Sequence, residues 1–260
     1  MGFSAELELA KDAAFKAGEL VMQYFNKPIE VIEKSPNNPV TEADYKSDEL
    51  IKKLLKEARP NYGWLSEETV DDNSRKNSDL VWMVDPIDGT RAFIKGLPHF
   101  SISIALVKNG QAILGVVYNP ATNEMFYAQD QIGAFKNQNQ IFASDTKALE
   151  SAKMLGDRHM FQSKKWPIKW PDFKVEQRNS IAYRIALVAS GEFDGAIATT
   201  PKNDWDIAAG AIIAKEANAK FTDHLGKDFI FNQESPLQRS LVVSNSNIFN
   251  DILGHLSHIV

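Results

Sequence analysis

Trp82-Met83-Val84-Asp85-Pro86-Ile87-Asp88-Gly89-Thr90 is the stretch from which the rest of the chain can be read. The apolar run over residues 80–84 has strand composition and stops at a cluster of turn-forming residues. Two aspartates follow, three residues apart. Pro86 fixes one φ angle between them, and Gly89 permits a tight turn that a side chain would resist. Thr90 is placed to cap a short helix beginning at Arg91. A rigid turn of this kind can direct the carboxylates of Asp85 and Asp88 and the carbonyl of Ile87 toward one point. These are hard oxygen donors of the type that suits Mg2+. The ordinary structural reading is a surface turn, because Asp, Pro and Gly favour turns anyway.

Working outward, residues 101–107, 112–118 and 124–128 alternate like an antiparallel meander, with Asn109-Gly110 as the hairpin turn between the first two. Residues 133–142 continue in that style. Toward the N-terminus, residues 62–65 read as a short strand. Residues 5–25 place Leu7, Ala10, Ala14, Ala17, Val21 and Tyr24 at helical spacings. A loop rich in Pro and Asn covers 35–39. Thr41 then caps a second helix, with Asp44 in its first turn and Leu50, Ile51, Leu54 and Leu55 expected on its buried face. Beyond residue 144 the pattern changes to strand 153–155, a proline-broken segment 166–172, helix 181–189 ended by Gly191, strand 196–198, helix 207–217, strand 241–243 and helix 248–256. These elements predict an N-terminal α+β half over 1–143 and a C-terminal α/β half over 144–260.

Composition narrows the function classes. The chain has 260 residues, 43% hydrophobic and 24% charged, the ordinary globular balance. The net charge is −5 with no long basic run, so nucleic acid is not an expected partner. The absence of cysteine excludes disulfides, thiolate metal sites and cysteine nucleophiles. No apolar stretch resembles a signal peptide or a membrane span, so a cytoplasmic location without a membrane partner is expected. There is no Gly-x-x-x-x-Gly-Lys loop, no Gly-x-Ser-x-Gly elbow and no His-Glu-x-x-His pattern.

Two further stretches carry acids. Trp205-Asp206-Ile207-Ala208-Ala209-Gly210 sets an aspartate before a run of small residues, which by itself reads as a helix N-cap. Leu65-Ser66-Glu67-Glu68-Thr69 ends a short strand in two acids and by itself reads as a solvated loop. Taken with the Asp85–Thr90 stretch, these motifs resemble the inositol monophosphatase family of magnesium-dependent, lithium-sensitive phosphatases, and the order of elements fits along essentially the whole chain. The resemblance implies a layered αβαβα sandwich, a homodimer and two or three Mg2+ ions. By the same resemblance, Glu67, Asp85 and the Ile87 carbonyl look like ligands of a first metal, and Asp85, Asp88 and Asp206 of a second. Glu67 is also similar to the acid that holds a third metal through waters. Thr90 resembles the hydroxyl that positions an attacking water, and Asp44 the acid that pairs with it. The backbone N–H groups from Gly89 to Arg91 are placed to hold a phosphate.

The substrate is less legible. Inositol-specific relatives carry Glu seven residues before Asp206, where this chain has Thr199. Relatives acting on 3′-phosphoadenosine 5′-phosphate tend to carry a basic residue at the position of Arg184, whose guanidinium suits a second phosphate; Lys202 could add charge there. A solvated helix face and a plain loop lysine are the ordinary readings of these two. The expected activity is hydrolysis of an inositol or sugar phosphate. A 3′(2′),5′-bisphosphate nucleotidase is the alternative, and a non-catalytic regulatory protein on the same fold is the reading from a different class.

Overall fold

Alternation along the strands decides the layers. In the computed structural model, which describes residues 2–36, 38–164 and 166–259, the sequence stripe of small and apolar residues forms α1 (Ser4–Met22), with Leu7, Ala10, Ala14 and Ala17 buried. A hairpin follows, β1 (Val31–Ser35) against β2 (Asn38–Thr41), where the sequence predicts only a loop. β1 is exposed along its length, so no hydrophobic alternation announces it. Thr41 caps α2 (Glu42–Ala58). Its Oγ1 accepts from the Ala43 N–H, and its own N–H donates to Asp44 Oδ2 at 2.8 Å, closing a reciprocal capping box.

The meander is realised as one seven-stranded sheet. Its strands run in chain order: β3 (Gly63–Ser66), β4 (Leu80–Asp88), β5 (Ser101–Lys108), β6 (Gln111–Asn119), β7 (Glu124–Gln129), β8 (Gly133–Lys136) and β9 (Asn139–Gln140). β3 and β4 are parallel and the other neighbours antiparallel. Helix α3 (Thr90–Ile94) links β4 to β5. The second half supplies β10 (Lys153–Leu155), α4 (Arg158–Phe161), β11 (Lys174–Glu176), α5 (Ile181–Ala189), β12 (Gly195–Ala198), β13 (Lys202–Asn203), α6 (Asp204–Glu216), β14 (Lys220–Thr222), β15 (Leu237–Gln238), β16 (Leu241–Ser244) and α7 (Phe249–Leu256). Five of these strands form a mixed sheet in the order β11-β10-β12-β16-β14, and β13 pairs with β15.

Successive residues of each strand point to opposite faces. On β4 and β5, Trp82, Val84, Ile102, Ile104 and Leu106 face α1 and α2. Val81, Met83, Ala105 and Val107 face α5 and α6. The second sheet repeats the logic. Leu155, Ala196, Ala198, Leu241 and Val243 turn toward α5 and α6, while Met154, Ile197 and Val242 meet Phe161 and the apolar face of α7. The result is the layered αβαβα sandwich, each fully buried Leu, Ile or Val contributing about 2 kcal/mol. Residue 144 falls between the two sheets, yet α5 and α6 are packed by both, so the halves share one core. The small residues of α6 permit its close seat on β6: a Cβ at Gly115 would lie 2.5 Å from the Ala209 carbonyl.

Three sequence boundaries move. β4 continues to Asp88 instead of ending at Val84, α3 begins at Thr90 and not Arg91, and α6 begins at Asp204 and not Ile207. Each shift occurs where polar residues enter an element through specific hydrogen bonds, which hydrophobic periodicity does not record. Among the described residues no helix is long and apolar enough to cross a membrane.

Candidate active site

The site begins as a fault in the β4–β5 ladder. Asp85 pairs with Ser103 and Asp88 with Ser101, so three steps on β4 oppose two on β5. A bulge of this kind bends the strand and re-aims its side chains. Pro86, which has no N–H to give the ladder, sits inside it. The Ile87 N–H donates to Asp85 Oδ1 at 3.0 Å, which fixes the carboxylate against the backbone. Gly89 follows with φ +96°, and a Cβ there would lie 2.8 Å from the His99 carbonyl oxygen. Both the left-handed backbone and the space demand glycine.

Gly89, not Thr90, is the N-cap of α3, which leaves the Thr90 hydroxyl for other work. Its Oγ1 lies 3.0 Å from Asp44 Oδ1 and 3.0 Å from the Ile87 carbonyl, to either of which it donates. Asp44 is held from behind, its Oδ2 accepting from the Thr41 N–H and hydroxyl at 2.8 and 2.7 Å. Burial pushes its carboxyl up to about 6, although those hydrogen bonds favour the charged form. Ser47 of α2 donates to the Pro86 carbonyl at 3.3 Å, docking the helix on the bulge.

The other half of the chain closes the site. Asp88 Oδ2 accepts from the Ser180 hydroxyl and the Ala182 N–H, both at 2.6 Å, and so ties the bulge to the start of α5. Asp206 Oδ2 accepts from the Asn203 N–H at 2.8 Å. Asp206 is thus the third residue of a capping box led by Asn203 and not itself the cap. Ser103 donates to the Trp205 carbonyl at 3.0 Å, joining β5 to α6.

These elements enclose a groove of about 540 Å3 whose wall includes Glu67, Asp85, Ile87, Asp88, Thr90 and Asp206. Gly89, Arg91, Arg184 and Lys202 also face it. Asp44 acts from behind Thr90. Thr199 is not brought in: its hydroxyl faces the Met160 sulfur at 4.0 Å and it is no part of the wall. Four contributors escape the sequence reading. Ser180 signals itself only as the N-cap of α5. Gln177 and Asn179 line the groove from a polar loop with no motif. Lys34, from the exposed hairpin, donates to Glu67 Oε1 at 3.0 Å and Glu68 Oε1 at 2.7 Å. Burial opposes its charge, but the two carboxylates hold the ammonium above the ordinary lysine range.

The groove is short of positive charge. Burial and the neighbouring charges of Glu67, Asp88 and Asp206 raise the Asp85 carboxyl well above the usual carboxylate range. Asp206 is pushed up to about 8, chiefly by burial and then by Asp88. Asp88 is pushed up to about 6 by burial, against the hydrogen bonds from Ser180 and Ala182. Arg184 and Lys202 soften these effects without balancing them. A set of buried carboxylates that disfavour one another's ionisation is what a divalent cation would reconcile, and their oxygens are the donors Mg2+ takes. Among the described residues, no three acidic or histidine side chains already converge into a metal cage. The oxygen donors fit Mg2+ in kind.

The sequence profile of the inositol monophosphatase family matches residues 4–259. The chain belongs to the inositol monophosphatase family. It is 34% identical over 236 residues to an inositol-1-monophosphatase of Rhizobium meliloti, covering 87% of this chain and 88% of that one. It is 32% identical over 249 residues to a fructose-1,6-bisphosphatase/inositol-1-monophosphatase of Thermotoga maritima, covering 94% and 93%. The solved structure of the extragenic suppressor protein SuhB from Bartonella henselae superposes with a TM-score of 0.86 at 29% identity, covering 99% of this chain and all of that one. Membership makes the chain a phosphomonoesterase of a generally metal-dependent family.

Proposed function

We propose that this chain hydrolyses a small phosphate monoester, an inositol or sugar phosphate, with two or three Mg2+ ions held by Glu67, Asp85, the Ile87 carbonyl, Asp88 and Asp206. The observation that carries the reading is the cluster of buried, mutually repelling carboxylates beside the Thr90–Asp44 pair. When bound, the ions would neutralise the phosphate oxygens, acidify a water and stabilise the leaving alkoxide. The protein's own part is orientation. Ionised Asp44 takes the Thr90 hydroxyl proton in a hydrogen bond, which turns the Thr90 lone pairs outward to accept from a water. The capping boxes and the bulge hold the acids in place before substrate arrives. No protein nucleophile is needed.

A second reading is a substrate with two phosphates, such as 3′-phosphoadenosine 5′-phosphate. Arg184 and Lys202 favour it, because both face the groove and burial lowers the proton affinity of each, an environment that rewards a second anion. The non-catalytic reading is the weakest, since every acid of the motif is present. The test is phosphate release with Mg2+, comparing inositol 1-phosphate with 3′-phosphoadenosine 5′-phosphate, each with and without chelator and with Li+. Chelator-sensitive, Li+-inhibited release is expected. Release that ignores the chelator would overturn the metal assignment, and release from neither substrate would revive the non-catalytic reading.

A further inference from the structure

The cavity of about 770 Å3 on the far side of β11 is larger than the catalytic groove and shares no wall residue with it. Phe161, Trp166, Trp170 and Phe173 form its apolar lining. Their rings meet edge to face, with centroids 5.2 Å apart for Phe161–Trp170, 5.0 Å for Phe161–Phe173 and 5.5 Å for Trp166–Trp170. Trp170 is buried, and its indole N–H has no hydrogen-bond partner among the described residues. Trp166 and Phe173 are only half-buried, which leaves part of their ring surface to a ligand.

The rim is cationic in a chain of net charge −5. Arg158, Lys164, Lys169 and Lys174 line the cavity against one acid, Asp172. None of the three lysines forms an ion pair among the described residues. Four cations around an aromatic box favour an anionic guest over a purely apolar one. The aromatic walls are equally wasted on a bare phosphate. The volume lies in the range of small-molecule sites, roughly 300–1,000 Å3.

We propose that this cavity is a second ligand site for a planar aromatic anion of the nucleoside monophosphate class, its base stacked on Trp166 and Phe173 and its phosphate held by Lys164, Lys169 and Lys174. The site is wired to the catalytic groove through one strand. Lys174 and Val175 of β11 line the cavity, and Gln177 and Asn179, a few residues on, line the groove. Arg158 donates to the Val175 carbonyl at 3.4 Å, and the Gly156 N–H to the Glu176 carbonyl at 3.0 Å. Arg184 Nε in turn donates to the Arg178 carbonyl at 2.5 Å. A ligand that braces β11 would therefore change the position of Arg184 and hence the KM for substrate.

The test is binding of AMP to the full chain with chelator present, so that turnover is silent, read by tryptophan fluorescence and calorimetry. Saturable binding is expected, at least ten-fold tighter for AMP than for ribose 5-phosphate, because stacking of a base adds affinity. The double variant Lys164→Glu/Lys169→Glu should weaken it ten-fold or more, as should Trp166→Ala, while Arg184→Ala leaves it unchanged. Equal affinity for AMP and inorganic phosphate would overturn the proposal in favour of a non-selective anion site. Binding that survives the lysine changes but is lost in Arg184→Ala would place the nucleotide in the catalytic groove. No AMP binding, with a change of oligomeric state in the lysine variant, would make this face a contact between copies. None of these readouts depends on the catalytic assignment.

Discussion

The two walls of the catalytic groove carry opposite charge and are held in opposite ways. On the acidic wall each aspartate is held by a backbone N–H: Asp85 accepts from Ile87, Asp88 from Ala182 and Asp206 from Asn203, with the Ser180 hydroxyl added at Asp88 and the Lys34 ammonium at Glu67. On the basic wall the side chains reach for carbonyls: Arg184 for Arg178, and Lys202 for Thr200 and Pro201. A carboxylate fixed by a bulge or a helix cap cannot move without moving an element. A long cation tethered to a loop carbonyl can be re-aimed by small changes in that loop. On the function proposed above, the first wall would carry the chemistry and the second the selectivity, and the comparison can be broken by measuring which kinetic constant each wall controls.

The largest effect is expected at Asp85, whose charge would serve two ions. Asp85→Asn should lower kcat by roughly 10³-fold with little loss of fold, since electrostatic groups at a reacting centre are worth about that much. Activity within ten-fold of the parent would show that the acidic wall is structural. Next comes Thr90. Thr90→Ala should cost about 10²-fold in kcat with KM nearly unchanged, and Thr90→Ser should restore most of it, because only the hydroxyl bonded to Asp44 is required. A KM effect in place of a kcat effect would make Thr90 a substrate contact. On the basic wall, Arg184→Ala should raise KM for a bisphosphate about ten-fold and for a monophosphate much less, the size of one lost charge-assisted hydrogen bond. Equal effects on both substrates would remove the distinction between the walls.

Much of the acidic wall was legible because it is built from residues whose backbone demands are local. Asp-Pro-x-Asp-Gly announces a bend, and Gly89 is needed on conformational and spatial grounds alike. What pattern reading could not see is where a polar residue's hydrogen bond goes. Asp206 reads as a cap and proves to be the third residue of Asn203's cap; Thr90 reads as a cap and has its hydroxyl in reach of Asp44 or the Ile87 carbonyl instead. Thr199, the residue after β12, falls outside the groove with its hydroxyl toward Met160 of α4, a matter of tertiary packing that spacing from Asp206 does not encode. The hairpin that carries Lys34 was missed because an exposed two-stranded ribbon shows no alternation of apolar residues.

The smallest effect, and the one that tests the acidic wall without turnover, is on stability. Asp206 at about 8 and Asp88 at about 6 lie above their unfolded value near 4. The folded state therefore binds more protons than the unfolded state between those limits. The stabilisation is fully present below pH 4 and is lost as pH rises through each folded value, at up to about 1.4 kcal/mol per pH unit for each titrating group. Metal-free protein should accordingly lose on the order of 1 kcal/mol per unit between pH 6 and 8, seen as a falling Tm. Asp85→Asn removes one of the repelling charges and should flatten that slope in the absence of metal. Saturating Mg2+ should flatten it in the parent, because a bound cation favours the ionised acids. A slope that Mg2+ leaves unchanged in the parent would mean that these carboxylates do not hold the ion, and the contrast between a chemical wall and a selective wall would fall with it.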